Sequence, residues 1–155
     1  MKIFIREIEI QASAQTIWKV MMDVESWNLW TTTVTRIKML NASKMAVGTK
    51  LQIEQLNLSK ATWKVDSLDP EQEFTIAKRQ PFLSVVGGHE IARTTTGHRV
   101  TLSLKFSGLF ANWVAKKYGS MMESYLDTEA MGLKRACEKL DEYKRKDTEI
   151  RTATV

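Results

Sequence analysis

Glu129 is chemically unusual because helical periodicity places its carboxylate among apolar side chains. On a helical wheel of about 100° per residue that starts at Tyr118, Glu129 falls at about 20°, in the middle of an apolar face that also includes Tyr125. An unpaired carboxylate buried there would cost several kcal/mol, so it needs a cation, hydrogen-bond donors or a proton. Two interpretations stay open: a structural bond to another element, or a cavity group that anchors a ligand or acts as a general acid or base. Tyr125 has the same two interpretations, because an inward tyrosine often only places its hydroxyl at a wet rim.

His89 is the second group suited to acid–base chemistry. Alternation assigns Leu102 and Leu104 to the core face of the following strand, and a two-residue turn at Thr96-Gly97 would pair His89 with Leu104. His89 and Ile91 then point inward and Glu90 points to solvent. A three-residue loop would reverse this and desolvate Glu90, so we favour the inward histidine. Such an imidazole either makes a structural hydrogen bond or orients a ligand and exchanges a proton with it.

Other chemistries find little support in the residue types. Two histidines nine residues apart and one distant cysteine fit no zinc spacing, so no metal and no cofactor are expected. No nucleophile elbow supports a catalytic triad, and Gly87-Gly88 lacks the spacing of a phosphate-binding loop. The catalytic assignment therefore stays open, with His89, Glu129 and Tyr125 as its candidates.

Composition limits the partners. The 155 residues carry a net charge of +5, but the 23 basic residues are spread along the chain among 18 acidic ones, so nucleic acid is not an expected partner. No run approaches the length of a membrane span, and the first residues do not resemble a secretory signal. With a single cysteine, Cys137, these features favour a cytoplasmic protein, either a monomer or a homodimer.

The elements that position these groups follow from the periodicity. A β-branched opening segment predicts a strand, and Ser13 and Ser26 are predicted to cap two short helices. Between about Val34 and Phe106 a period of two predicts six more strands. Residues from about Ala111 to Lys146 lack proline and carry one apolar face, which predicts a long amphipathic helix. The sequence thus predicts one α+β domain over residues 1–146 and a flexible tail over residues 147–155.

An ordered set of short motifs resembles a known family. The motifs run from the Ile17-Trp18 pair through Asp23-Val24-x-x-Trp27-x-x-Trp30, Val47-Gly48-Thr49, Trp63-x-Val65, Asp69-Pro70 and Gly88-His89 to Gly132-Leu133-Lys134. Together they are similar to the START-related, birch-pollen-allergen-like SRPBCC superfamily and its polyketide cyclase/dehydratase-like branch. The resemblance implies a helix-grip fold, in which a curved seven-stranded antiparallel sheet wraps around the C-terminal helix and encloses an apolar cavity.

The resemblance implies that the protein binds or carries a hydrophobic or amphipathic small molecule such as a lipid, polyketide or isoprenoid. A cyclase or dehydratase that uses the same cavity, and a protein-interaction module without a cavity, are the alternatives. The predicted cavity residues are Trp27, Trp30, His89, Ile91, Leu102, Leu104, Tyr118, Met122, Tyr125, Glu129 and Gly132.

Overall fold

The computed structural model describes residues 1–154 as seven strands, two α-helices and one 3₁₀ helix. In chain order the elements are β1 (Lys2–Ile10), α1 (Ala14–Met22), the 3₁₀ helix (Val24–Leu29), β2 (Val34–Met39), β3 (Lys50–Gln55), β4 (Ala61–Asp69), β5 (Glu73–Gln80), β6 (Leu83–Arg93), β7 (His98–Ser107) and α2 (Ala111–Thr154).

The strands form one antiparallel sheet in the order β1-β7-β6-β5-β4-β3-β2. Neighbours in the sheet from β2 to β7 are also neighbours in the chain, and β1 closes the far edge against β7. The concave face packs against α2, which contacts β1 and β7 most closely. This architecture confirms the predicted helix-grip fold.

The short helices meet at Asp23. Ser13 caps α1 as predicted, because its hydroxyl accepts a hydrogen bond from the Thr16 amide at 3.1 Å. The prediction that Ser26 caps the second helix is wrong: that helix is a 3₁₀ helix that begins at Val24, and Asp23 serves as the end of α1 and as the cap of the next turn. The indole of Trp27 holds this junction closed by donating to the Met21 carbonyl at 3.0 Å.

The β6–β7 hairpin differs from its predicted register by two residues. Arg93 pairs with His98 across a loop of residues 94–97, so His89 lies opposite Leu102 and not Leu104. Side chains alternate with a period of two, so a shift of two leaves every side chain on its predicted face. His89 is accordingly buried and Glu90 exposed.

The long helix exceeds its predicted length. α2 continues to Thr154, so residues 147–154 are helical where the sequence predicted an unpatterned tail; Val155 lies outside the described residues. Ion pairs between Lys146 and Glu142 and between Arg151 and Asp147, each four residues apart, support this last stretch. The polar composition had suggested a tail, but i,i+4 pairing lets a polar sequence continue a helix.

Candidate functional site

A cavity of about 340 Å³ lies between the concave face of the sheet and α2. Most of its wall is aliphatic or aromatic, because strands β2 to β7 alternate and turn their apolar positions toward the helix. Eight predicted residues line it: Trp27, His89, Leu102, Leu104, Tyr118, Met122, Tyr125 and Glu129. Three of these residues lie on the β6–β7 hairpin, four lie on α2, and Trp27 lies on the 3₁₀ helix.

A buried polar pair joins the two sides of the cavity. His89 Nε2 lies 3.1 Å from Glu129 Oε1, and the two side chains are 8% and 14% exposed. The pair connects β6 to α2 across forty residues of sequence. It explains how the helix accommodates an inward carboxylate, since the imidazole supplies the partner that burial requires.

Two aromatic rings hold His89 in place. Phe74 stacks on the imidazole with a centroid distance of 4.3 Å and an interplanar angle of 5°, and Trp27 approaches it at 5.3 Å. The Nδ1 atom of His89 is buried and has no hydrogen-bond partner within residues 1–154. His89 therefore has a fixed ring orientation, with one nitrogen on Glu129 and the other unpaired, beside the cavity.

Tyr125 is separated from the pair by its own hydrogen bond. Its hydroxyl donates to the Leu56 carbonyl, so it connects α2 to the turn after β3 instead of bonding to His89 or Glu129. The Tyr118 ring lies nearer the start of α2, where the Lys117 ammonium sits 5.3 Å from its centroid. Both tyrosines line the cavity, but within residues 1–154 neither is hydrogen-bonded to the His89–Glu129 pair.

Three predicted cavity residues do not line it. Trp27 and Phe74 close over His89, so Ile91, two positions further along β6, packs in the solid core. Trp30 packs on the outer side of Trp27 with a centroid distance of 5.4 Å. Gly132 lies against the backbone of Trp30, where a Cβ would overlap the Trp30 carbonyl oxygen. The cavity thus ends at the layer formed by Trp27, His89 and Glu129.

Several lining residues were not singled out in the sequence, although the same alternation contains the signal. Phe74, Ile76 and Lys78 share one phase on β5, and this phase brings Lys78 to the cavity wall as a half-buried cation. Lys78 pairs with Val85, and Val85 lies four residues from His89 on β6, so the backbones of Lys78 and His89 are separated by about 13 Å along the strands. The other lining residues that were missed are Val34, Ile37, Ile53, Gln55, Leu58, Ser59, Ala61, Trp63, Ile76, Leu83, Val85, Gly87, Gly88, Ser103, Phe106, Val114 and Leu126.

Metal binding and membrane spanning were also considered in the predictions from the sequence. Within the described part of the chain no three ligating side chains come together to hold a metal ion. No helix among residues 1–154 is both long enough and apolar enough to span a bilayer.

Solved structures with the same fold come from distant organisms. The protein TTHA0849 of Thermus thermophilus is 16% identical, covers 88% of this chain and 97% of its own, and superposes with a TM-score of 0.70. A hypothetical protein of Helicobacter pylori is 14% identical over 86% of each chain, with a TM-score of 0.72. The major latex-like protein 151 of Panax ginseng is 15% identical over 90% of this chain and 97% of its own, with a TM-score of 0.70. At these identities the likeness concerns the fold.

Sequence comparison assigns the family. No curated protein sequence matches this chain. The family model described as polyketide cyclase/dehydrase and lipid transport matches residues 1–138, from the start of β1 into the second half of α2. The matched range contains all the cavity residues, including His89 and Glu129. The chain belongs to this polyketide cyclase/dehydrase and lipid transport family of the SRPBCC superfamily.

Proposed function

We propose that the protein binds a hydrophobic or amphipathic small molecule of the lipid, polyketide or isoprenoid class in the cavity between the sheet and α2. The observation that carries the proposal is an apolar chamber of about 340 Å³ with a buried polar pair at its closed end. This volume lies at the lower end of the range of small-molecule sites, and a solid interior would have favoured an interaction module instead.

The lining suggests how a ligand would lie. Apolar burial supplies the affinity, at roughly 25 cal/mol per Å² of surface removed from water. A hydroxyl or carbonyl group on the ligand would reach the His89–Glu129 end, while Lys78 favours a polar or anionic group farther along the cavity. An elongated molecule with polar groups at its two ends fits this distribution best.

Dye binding and native mass spectrometry test the proposal. The neutral dye N-phenylnaphthylamine is titrated into wild-type protein and into Leu104→Trp, which fills part of the cavity. We expect the variant to bind the dye at least roughly tenfold more weakly, a difference of about 1.4 kcal/mol. Lys105→Trp is the matched control, because Lys105 is the next residue along β7 and is exposed on the opposite face. Equal dye binding by the two variants, with no apolar molecule co-purifying from cells, would contradict the proposal.

A second function is favoured by one observation, the 3.1 Å contact between His89 and Glu129 at the cavity wall. A coupled imidazole and carboxylate can remove a proton next to a ketone and return it to the oxygen that leaves as water, as an aldol cyclisation or dehydration requires. Turnover of a linear poly-β-ketone, measured as ultraviolet absorbance of an aromatic product and lost in Glu129→Gln, would support the enzyme. Bound but unconverted ketone supports the carrier.

A further inference from the structure

A cluster of exposed apolar side chains lies where β5 turns into β6 and where α2 begins. Phe82, Leu109, Phe110 and Trp113 are 65%, 77%, 48% and 59% exposed, and we refer to these four residues as the aromatic patch. The rings of Phe82 and Phe110 meet edge to face with centroids 6.1 Å apart, so the turn and the loop form one continuous surface. Large apolar side chains that are exposed together mark an interaction surface.

The backbone beneath the patch is fixed and strained. Phe82 has φ +67°, in the left-handed region that favours glycine or asparagine. The Phe110 amide donates to the Phe82 carbonyl at 3.2 Å, and a Cβ on Gly108 would overlap that same carbonyl oxygen. Turn chemistry alone would select a smaller residue at position 82, so local stability does not account for the exposed phenyl ring.

Positive charge flanks the patch on β7 and α2. Residues 105–122, which contain three of the four patch residues, carry Lys105, Lys116 and Lys117 and contain no aspartate or glutamate. On the β5–β6 side, Arg79 is paired with Asp66 and Lys78 lines the cavity. The Lys117 ammonium lies 5.0 Å from the centroid of the Trp113 ring, at the edge of the patch. The surface therefore combines an apolar centre with a cationic rim.

We propose that the aromatic patch docks the protein onto an anionic lipid bilayer. Tryptophan and phenylalanine rings insert at the level of the lipid head groups, and lysines beside them attract acidic lipids. Lysine is depleted from interfaces between proteins, so the cationic rim favours a lipid surface over a protein partner. The docking proposal depends on this surface and not on any ligand in the cavity.

The patch lies next to the cavity wall. Phe82 and Trp113 directly precede Leu83 and Val114, and both of these residues line the cavity. A bilayer docked on the patch would therefore face the end of the cavity that is remote from His89 and Glu129. This arrangement would let an apolar molecule pass between the cavity and the membrane without crossing bulk water.

Vesicle flotation tests the proposal. Wild-type protein is mixed with vesicles of phosphatidylcholine alone and with vesicles that contain an equal part of phosphatidylglycerol, and the floated fraction is measured. We expect binding to the anionic vesicles only. Replacing Lys116 and Lys117 together by Gln should weaken it about 25-fold, since each basic residue contributes about 1 kcal/mol near an anionic surface, or roughly fivefold. Phe82→Asn with Trp113→Ser should abolish flotation, and asparagine tolerates the left-handed backbone of position 82.

Two matched controls test whether losing any two positive charges, or any exposed apolar side chain, is enough to weaken vesicle binding. Arg135→Gln with Lys139→Gln removes the same charge from the same helix, more than twenty residues from the patch, and Leu29→Ser removes an 80% exposed leucine elsewhere. Neither control should change flotation.

Two flotation results would overturn the proposal: no binding of wild-type protein to anionic vesicles, or equal binding by wild type and the patch variants. So would a wild-type dimer that becomes a monomer in the patch variants by analytical ultracentrifugation, because the patch is then a protein interface. The patch variants should bind N-phenylnaphthylamine as wild type does, so a failure of membrane docking can be distinguished from a failure of the cavity proposal.

Discussion

Gly132→Ala should destabilise the protein although alanine is the better helix former. A Cβ on Gly132 would overlap the carbonyl oxygen of Trp30 and would lie 3.0 Å from its carbonyl carbon. That segment cannot yield easily, because the amides of Trp30 and Thr31 both bond to the Trp27 carbonyl, at 3.1 and 3.0 Å. Overpacking against a held backbone costs about 3 kcal/mol, the upper part of the usual range, and helix propensity returns about 1 kcal/mol. We expect a net loss of about 2 kcal/mol.

Gly119→Ala is the matched control on the same helix. A Cβ there would lie 3.2 Å from Cζ of Phe4, at the edge of a ring that can shift by a few tenths of an ångström. The propensity gain of up to about 1 kcal/mol should then offset the contact, and the stability should stay equal to that of wild type or rise slightly.

Urea denaturation followed by circular dichroism measures both effects, with equal slopes required for a valid comparison. For a domain of this size, 2 kcal/mol corresponds to a fall in melting temperature of about 4–8 °C. The folded fraction of Gly132→Ala should also bind N-phenylnaphthylamine more weakly, because the displaced segment carries Trp27. Equal stabilities of the two variants would refute the close packing of α2 against the Trp30 backbone.

Three further predictions concern single contacts. Glu129→Leu and His89→Phe should each lower the free energy of unfolding by about 1–3 kcal/mol, because each leaves a buried partner unpaired. The double variant should lose less than the sum of the two single losses. Strictly additive losses in a double-mutant cycle measured by urea denaturation would contradict the pairing. Burial and the neighbouring carboxylates raise the pKa of Cys137 to about 12, so its thiolate fraction at pH 8 should be roughly a thousandfold below that of an ordinary thiol. Iodoacetamide should label it only after denaturation, and rapid labelling of native protein would show that the site opens. Ser13→Ala should lower stability by about 1 kcal/mol through the lost cap of α1, measured by thermal denaturation, whereas an unchanged midpoint would mean that the cap is replaced.

The fold was predictable because its chain order and its spatial order coincide. In a meander each strand pairs with its sequence neighbour, so finding six consecutive period-two segments nearly determines the sheet. The end of α2 was not predictable from its apolar stripe, because residues 147–154 contribute no side chain to the core and carry the i,i+4 pair of Arg151 with Asp147 instead. The start of the 3₁₀ helix was also missed, since it follows directly on α1 at Asp23 and the Trp27 hydrogen bond to Met21 ties the two elements together.

The sequence predicted that His89 and Glu129 both point toward the cavity, but it did not predict that the two side chains contact each other. Alternation determines the face of His89 even with the register in error, because a shift of two residues conserves every orientation. The helical wheel similarly determines the face of Glu129. Whether the two side chains meet depends on the position of α2 along the sheet. Neither the strand periodicity nor the helical periodicity specifies that position. Because the position of α2 was not known, Trp30 and Gly132 were also assigned to the cavity. In the structure they pack against each other instead.

The burial of the His89–Glu129 pair is itself an argument about function. A leucine and a phenylalanine in these positions would extend the apolar wall between Phe74 and Trp27 without desolvating a carboxylate, and such replacements of buried ion pairs are often neutral or stabilising. Nδ1 of His89 also has no hydrogen-bond partner among residues 1–154, which adds a further desolvation cost. Stability alone therefore gives no reason for a polar layer at this depth, whereas a cavity ligand with a polar group gives one. The double variant His89→Phe with Glu129→Leu discriminates between these accounts. If the pair is functional, the variant should keep near-native stability and should carry less co-purifying apolar molecule than wild type in native mass spectrometry. If the pair is purely structural, the variant should lose stability and the amount of co-purifying molecule should not change.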